Sequence, residues 1–473
     1  MKMMNACDLP LVAPSIKPEL DPNFRPAILA YQSFLKSAVS PDAIMAVKVV
    51  LHRPDGSAYP FETSILAPTE KASAHNFFFL ERFIKFLLWS RGAAKIFCTA
   101  PKALCDQLNL HYKEHLVGQW DADMMGKRIF EESFEIIHCS ESELPEENSH
   151  AANLGRHMEG CRIGFDLGGS DRKIAAMIDG KTVFSEEIVW DPIPQTDPQW
   201  HYDLIMDTLK LAASKLPRVD AIGGSAAGVY VNNRVKVASL FRGVSEEQFN
   251  NRVKDLFLEL KKDWNDIPFE VVNDGEVTAL AGSMNLNQNA VLGIAMGTNQ
   301  AAGFVTPNGQ ITPWLNELAF VPVDYHPKAP KDEWSGDIGC GVQYFSQQAV
   351  ARLVPASGIK LPKDMPFPEQ LVKVQKLMAE NDLRAAAIYK TMGVYLGYAL
   401  AQYSEFYDFE HLLMLGRVTT GPGADLMIQR AKEVLNKDFQ AIADKIKFQL
   451  PDEKEKRHGQ AMAAASLPAM NES

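Results

Sequence analysis

The sequence is short of positive charge, of paired cysteines and of long apolar runs, and each shortage disfavours a class of protein. Its 473 residues hold 48 Lys plus Arg against 59 Asp plus Glu, a net charge of −11, which disfavours binding to nucleic-acid phosphates. The six cysteines show no paired spacing, which is typical of reduced, mostly buried thiols in a cytosolic protein. They are Cys7, Cys98, Cys105, Cys139, Cys161 and Cys340.

Nothing in the sequence predicts a membrane partner. The first 20 residues lack the uninterrupted apolar core of a signal peptide. The most apolar stretch, residues 76–92, carries Glu81, Arg82 and Lys85 at its centre, and each is costly in hydrocarbon. Because its apolar residues recur at helical spacing, we expect a buried amphipathic helix in a cytoplasmic protein.

Residues 1–150 are predicted to form an N-terminal α/β domain of unknown role. A hairpin turning near Asp55-Gly56, the helix just described, a strand and a second helix follow one another in this segment. Its 15 Lys plus Arg against 19 Asp plus Glu argue against a DNA-reading module. We expect this domain to pack on the rest of the chain, with residues 140–160 as the linker.

A glycine-rich hairpin from Cys161 to Asp179 is the most informative motif. Gly168 and Gly169 would let backbone N–H groups approach phosphate oxygens, which a Cβ would obstruct. Asp166 could organise a magnesium ion and Lys173 could neutralise charge. An ordinary hairpin with a glycine turn is the alternative, since short Gly-rich motifs are frequent by chance.

Three later segments strengthen the phosphate interpretation. Residues 294–305 repeat the strand, glycine turn and strand plan. Residues 269–280 are an apolar run that ends in Asn273-Asp274, which places a carboxylate at a strand's carboxyl edge, where ligands gather in α/β sheets. Residues 411–435 are a buried strand, a glycine loop and an amphipathic helix, and a helix start behind glycines suits a nucleotide.

Further helices are expected from the apolar spacing of the remaining sequence. The closing segment, residues 457–470, is rich in small residues, which predicts close packing against a neighbouring helix or the nucleotide loop. The other predicted helices are 199–216, 246–264, 342–353 and 383–405.

The four motifs, in this order, resemble the ROK branch (repressors, open reading frames, sugar kinases) of the actin-like ATPase superfamily, over about residues 160–470. The resemblance implies an α/β fold of two ribonuclease-H-like halves, at 160–285 and 286–473, behind the N-terminal domain. It further implies ATP-dependent phosphorylation of a sugar, with ATP and Mg²⁺ as cofactors. ROK proteins are often dimers, so a homodimer is left open.

The resemblance also implies roles for individual residues. Asp274 would be the catalytic base, Asp166 would hold Mg²⁺ directly or through water, and Asn273, Asp274 and Glu317 would contact the substrate. The phosphates and nucleotide would lie against Asp166, Gly168, Gly169, Ser170, Lys173, Gly297, Thr298, Asn299, Gly416, Gly421 and Gly423.

The sequence departs from the family at the sugar site. Residues 317–320 read Glu-Leu-Ala-Phe where ROK kinases usually carry Glu-x-Gly-His, and residues 339–342 read Gly-Cys-Gly-Val where they carry Gly-Cys-x-Glu. A structural zinc needs about four N or S ligands, and only Cys340 remains of the cysteine cluster. We therefore expect no zinc site, and the identity of the sugar does not carry over.

Other interpretations stay open at this point. Asp274 could be a helix N-cap, and Glu317 could be a surface charge. The whole protein could be a sugar or nucleotide sensor with reduced catalysis, or a kinase for a non-sugar substrate.

Overall fold

The computed structural model describes residues 11–36, 43–67, 69–148, 154–450 and 453–470. In these ranges it has three larger sheets flanked by helices and one two-stranded sheet. The five cysteines in these ranges are unpaired and buried, as predicted, and Cys7 lies outside them. No helix in the described ranges is long and apolar enough to cross a membrane.

The N-terminal sheet has the strand order β2-β1-β3-β4. Strands β1 and β2 form the predicted hairpin, with Gly56 at φ +85° in its turn. Strands β3 and β4 run parallel because helices cross between them. The elements are α1 (Ala27–Lys36), β1 (Ile44–His52), β2 (Ala58–Leu66), α2 (Glu70–Arg91), β3 (Lys95–Cys98), α3 (Lys102–Glu114), α4 (Leu116–Ala122), a π-helix (Asp123–Phe130) and β4 (Glu135–His138).

The first ribonuclease-H-like half contains the sheet β11-β8-β5-β6-β7, in which β5, β6 and β7 are antiparallel and β5, β8 and β11 are parallel. A small hairpin, β9–β10, projects from it. The elements are β5 (Cys161–Leu167), β6 (Asp171–Ile178), β7 (Lys181–Val189), α5 (Pro198–Ala213), β8 (Ala221–Ala226), β9 (Val229–Val231), β10 (Arg234–Val237), α6 (Glu246–Gln248), a π-helix (Phe249–Val253), α7 (Leu256–Asp263) and β11 (Phe269–Asn273).

The second half repeats the plan in the sheet β13-β12-β14-β15, with one antiparallel pair and two parallel pairs. Among the described residues it has no counterpart of β7, and the chain runs there into an irregular segment, residues 313–340. The elements are α8 (Asp274–Leu286), β12 (Val291–Met296), β13 (Gln300–Val305), α9 (Gln347–Ser357), α10 (Phe367–Ala379), α11 (Leu383–Tyr403), β14 (His411–Leu415), α12 (Pro422–Asp438), α13 (Gln440–Lys445), β15 (Lys447–Gln449) and α14 (Glu453–Ala465).

Helices α8 and α14 cross between the halves. Helix α8 follows the first sheet but packs on β12 and β13 of the second, while α14 follows the second sheet and packs on β5 and β8 of the first. Gly164 and Gly223 permit this contact, because a Cβ at either would lie within 2 Å of a backbone oxygen of α14. Helix α14 also packs on α8, so the predicted close packing of the small-residue segment against a neighbouring helix is confirmed, whereas its contact with the first sheet was not predicted.

The N-terminal segment packs on the second half, as predicted. Its helix α2 is buried from Phe79 onwards in a hydrophobic cluster that it shares with the second half. The rings of Phe86 and Phe406 stack at 4.0 Å within that cluster. The first half has a separate cluster of its own, so the N-terminal segment and the second half form one continuous core.

The predicted linker is anchored on both sides of residues 149–153, which lie outside the described ranges. The backbone N–H of Ala58 donates to the carbonyl of Asn148 at 2.7 Å, and Leu154 forms a bridge with Ile311. The described parts of residues 140–160 are thus held against the N-terminal sheet and the second half.

Two helix predictions need correction, and a third helix was not predicted at all. The helix predicted over 246–264 is broken, because the carbonyl of Lys254 leaves the helical ladder and accepts from the backbone N–H of Val235. The helix predicted from Val342 begins at Gln347, where the Ser346 side chain caps it. Helix α10 was not predicted, because a proline stands before its first turn and another within it. Prolines at these positions are common in loops, but they are also compatible with the start of a helix.

Replacing Gly223 by Ala should destabilise the protein, because its Cβ would lie 1.7 Å from the carbonyl oxygen of Ala464. Overpacking of this kind costs about 1–3 kcal/mol. The control is Gly459→Ala within α14, where a Cβ meets nothing closer than 3.6 Å and helix propensity favours Ala by about 1 kcal/mol. Thermal unfolding should show a lower midpoint for Gly223→Ala only; equal midpoints would contradict the close contact.

Candidate functional site

The first glycine turn lies at the carboxyl end of β5, where Asp166 is buried. The Asp166 carboxylate accepts from the Ser225 hydroxyl at 2.6 Å and lies 3.3 Å from the Lys173 ammonium, its cross-strand neighbour. Burial raises the pKa of Asp166 above its ordinary value, although the charge of Lys173 opposes this. The register thus places Lys173 beside the carboxylate predicted to bind Mg²⁺.

The turn itself leaves backbone open to a ligand. The N–H of Gly168 donates to the carbonyl of Asp171 at 2.9 Å and closes the hairpin, while Gly169 and Ser170 are exposed. A Cβ at Gly169 would meet nothing closer than 3.8 Å. A phosphate could approach the turn from this side, as the motif predicts.

The second glycine turn, at the end of β12, is one residue shorter than the first. The N–H of Gly297 donates to the carbonyl of Asn299 at 2.9 Å, and Thr298 and Asn299 are exposed. A Cβ at Gly297 would again meet nothing closer than 3.8 Å. The carbonyl of Gly297 accepts from the N–H of Gln347 at the start of α9, which holds the turn in place.

The glycine loop after β14 borders a cavity of about 490 Å³ between this loop and helix α10. Gly416, at φ +90°, lies against the end of β12, so that the loop adjoins the second glycine turn. Gly421, at φ +82°, precedes α12 and has open space where a Cβ would be. Gly423 instead packs on the ring of Tyr389, a contact that explains this glycine by packing alone.

Asp274 occupies the first position of α8, and Asn273 is the residue that caps the helix. The Asn273 side chain accepts from the N–H of Gly275 at 2.7 Å and donates to the carbonyl of Gly228 at 2.6 Å. Burial, and then the charge of Asp166, raise the pKa of Asp274 to about 6. Asn273, and not Asp274, is therefore the N-cap residue, although the Gly275 N–H also lies 3.0 Å from the half-buried Asp274 carboxylate.

Glu317 lies near Asp274, in the irregular segment of the second half. It is half-buried and not a plain surface charge, because burial and then the charge of Asp274 raise its pKa to about 7. Its backbone N–H donates to the carbonyl of Trp89 at 2.9 Å, and that of Asn316 donates to Ser90 at 3.1 Å. Both carbonyls belong to the last turn of α2, where carbonyls have no partner within the helix. The N-terminal segment therefore holds the backbone of Asn316 and Glu317.

Two residues that the sequence analysis missed complete this arrangement. Asn316 is 1% exposed at φ +50°; its side chain donates to Glu276 on α8 and accepts from the Tyr407 hydroxyl at 2.8 Å. Burial raises the pKa of Glu276 to about 8. Glu276 could have been noticed, since it stands two residues after Asp274, whereas nothing in the sequence pairs it with Asn316.

The altered sugar-site motifs form an apolar wall. Phe320 packs between Trp89 and Trp120, with ring centroids 4.4 and 5.1 Å away. Val342 is buried beside Cys340. Where the family resemblance implied a second carboxylate and a histidine, this chain thus has packed hydrocarbon and aromatic side chains.

A buried cluster of ion pairs lies next to that wall, at Asp337, three residues before Cys340. The carboxylate of Asp337 lies 2.7 Å from the Arg82 guanidinium and 2.9 Å from the Lys85 ammonium. Lys85 also pairs with Asp121 at 2.9 Å. Within the described ranges no three His, Cys, Asp or Glu side chains are grouped so as to hold a metal ion, and the absence of zinc stays a prediction.

No protein-family model matches the sequence, and no curated protein is similar to it in sequence. Among solved structures, a ROK hexokinase from Thermus thermophilus matches with 15% identity and a TM-score of 0.50, over 64% of this chain and 96% of that one. A ROK family transcriptional regulator, a homologue of the E. coli MLC protein, matches with 19% identity and a TM-score of 0.51, over 66% and 78%.

This chain has the ROK fold. The predicted pair of ribonuclease-H-like halves is confirmed, and an extra region lies outside the matched part. At 15–19% identity the likeness shows the fold alone. The matches include both a hexokinase and a transcriptional regulator, so the fold does not decide between these functions. The roles of individual residues stay predictions.

Replacing Asn316 by Ala should destabilise the protein by about 2–4 kcal/mol, because buried groups on Glu276 and Tyr407 lose their partner and Ala is strained at positive φ. Asn316→Gly is the matched control, since it loses the same hydrogen bonds without the backbone strain. Urea unfolding should rank the parent above Gly and Gly above Ala. Equal midpoints for Ala and the parent would contradict the network.

Proposed function

We propose that the protein transfers the γ-phosphoryl group of ATP to a hydroxyl group of a sugar or sugar derivative. The observation that carries the proposal is the position of Asp274 at the start of α8. Its carboxylate is close enough to Asp166, beside the first glycine turn, for the charge of Asp166 to raise the pKa of Asp274. In the same way, the charge of Asp274 raises the pKa of Glu317 in the second half. The ROK fold, shared with a hexokinase, supports the same class of reaction.

In this proposal the oxygen of the acceptor hydroxyl attacks the γ-phosphorus of ATP, and the hydroxyl proton passes to the Asp274 carboxylate. The bond between the γ-phosphorus and the bridging oxygen breaks, and ADP leaves with that oxygen. The backbone N–H groups around Gly168 and Gly297, with Ser170 and Thr298, hold the phosphates, and Lys173 neutralises their charge. Catalysis then depends on position and charge, as is general for phosphoryl transfer.

Magnesium fits the site, because Asp166 offers a carboxylate at the turn and Mg²⁺ in proteins is held by one or two carboxylates, substrate phosphates and water. Bound there, the ion would neutralise charge on the phosphoryl group. The adenosine would enter the cavity between α10 and the loop at Arg417, where the Gln375 amide donates to the Arg417 carbonyl at 2.7 Å.

The Asp274→Asn variant should fold normally and lose about 10²- to 10⁴-fold in turnover, since it removes the proton acceptor while Asn273 still caps α8. Release of ADP would be measured across a panel of sugars, amino sugars and polyols. The control is Asp266→Asn, at an exposed position outside the cleft. Full turnover by Asp274→Asn would show that the base is another group.

The pH profile tests the same assignment. A base must be unprotonated, and the pKa of Asp274 is raised to about 6. The kcat/KM of the parent should therefore rise with pH through about 6, and this limb should be absent in Asp274→Asn.

Nucleotide binding should require Mg²⁺, and the purified protein should contain no stoichiometric zinc. The reasons are the Asp166 carboxylate at the first glycine turn and, within the described ranges, the absence of any three His, Cys, Asp or Glu side chains grouped to hold a metal ion. Calorimetric titration with ATP, with and without Mg²⁺, and elemental analysis provide the measurements. One tightly held zinc per chain would contradict the zinc prediction. Equal ATP affinity with and without Mg²⁺ would contradict the magnesium prediction.

A regulator of the same fold with reduced catalysis is the second candidate, and the apolar wall of Phe320 and Val342 favours it. The match to a transcriptional regulator agrees with this alternative. A ligand that raises the unfolding temperature without any ADP release from the panel would favour it. Hydroxyl acceptors other than sugars belong in the same panel, because the polar residues that the family pattern has at 320 and 342 are replaced here by Phe320 and Val342.

A further inference from the structure

The two halves of the cleft have separate hydrophobic cores. Separately packed bodies in one chain move relative to one another unless a contact restrains them. Because Asp166 belongs to the first half and Gly297 and Glu317 to the second, the relative position of the halves decides whether the proposed site is assembled.

The N-terminal segment, which shares a core with the second half, reaches the first half at Glu131. The Glu131 carboxylate lies 2.9 Å from the Lys236 ammonium on β10 and 2.5 Å from that of Lys254. The Lys236 side chain is only 7% exposed and that of Glu131 34%. Partly buried, doubly paired carboxylates bind more strongly than exposed single pairs.

Packing around this contact holds Glu131 in place. Glu131 ends the π-helix in the left-handed conformation, at φ +58°. The neighbouring Gly126 lies so close to Glu132 that a Cβ there would be 2.7 Å from the Glu132 carbonyl oxygen. On the other side, Val229 of the β9–β10 hairpin is buried in the core shared by the N-terminal segment and the second half.

We propose that Glu131 is a positioning residue that braces the first half against the rest of the molecule by holding the β9–β10 hairpin through Lys236 and Lys254. The N-terminal segment then acts beside the α8–α14 crossing, and together they set the width of the cleft. This role rests on the proposed function only in that the cleft is the site of reaction; the brace itself is a property of the chain without ligand.

The test compares Glu131→Gln with Glu132→Gln in the full chain. Glu132 is the matched control, because it has nearly the same exposure and pairs with Lys95 inside the N-terminal segment. Hydrogen exchange of the β9–β10 amides should become about tenfold faster in Glu131→Gln, as loss of about 1.4 kcal/mol of charged hydrogen bonding implies, and should be unchanged in Glu132→Gln.

A distance measurement makes the test independent of local unfolding. Spin labels at exposed Thr182 of the first half and Asp444 of the second should give a broader or longer distance distribution in Glu131→Gln than in the parent or in Glu132→Gln. The charge-swapped variant, with Glu131→Lys, Lys236→Glu and Lys254→Glu together, should restore the parent distribution.

If Glu131→Gln matches the parent in both hydrogen exchange and the spin-label distance distribution, the brace is refuted. The apolar contact of the hairpin would then be enough to hold the first half in place. If the charge swap fails to restore the distance, the ion pairs are not the cause. Neither readout requires turnover, so a failure of the brace is distinguishable from a failure of the proposed kinase activity. For an active enzyme, Glu131→Gln should raise KM more than it lowers kcat.

Discussion

The backbone contact between helix α14 and the first sheet is the constraint on which the arrangement of the two halves depends. Gly164 and Gly223 leave no side chain between strand and helix, so the helix backbone lies directly on β5 and β8. With α14 on the first sheet and α8 on the second, each half is packed by a helix that follows the other half's strands. This exchange carries the start of α8, and Asp274 with it, from the carboxyl edge of the first sheet onto β13 of the second, where Gly275 and Gly303 lie in close backbone contact.

Burial of three carboxyl groups near the start of α8 lowers the stability of the folded protein once the unfolded chain can ionise them. The pKa values of Asp274, Glu317 and Glu276 are all raised by burial, to about 6, 7 and 8. The folded protein therefore holds protons that the unfolded chain has released, and their contribution to stability falls as pH rises from about 4 to 8. Perturbed carboxyls of this kind concentrate where a protein does chemistry.

The sequence was sufficient for the motifs and insufficient for what surrounds them. Glycine turns, the Asn273-Asp274 pair and the small residues of α14 are local patterns with local causes, and the structure shows each of them in the expected place. The helix break at Lys254 was not predictable in this way, because a hydrogen bond from Val235 decides it. The bond between Asn316 and Glu276 joins residues 40 positions apart, and no periodicity reports such a contact.

The N-terminal segment explains how the apolar wall around Phe320 and Val342 can differ from the family pattern and still be held in place. The carbonyls of Trp89 and Ser90 accept from the backbone at 316–317, and Arg82 and Lys85 pair with Asp337 beside the loop that carries Cys340 and Val342. Taking one partner from a buried ion pair leaves an uncompensated charge, which is strongly destabilising. The segment and the loop therefore have to be retained together, so the extra region of the chain is a structural part of the site wall and not an appended module.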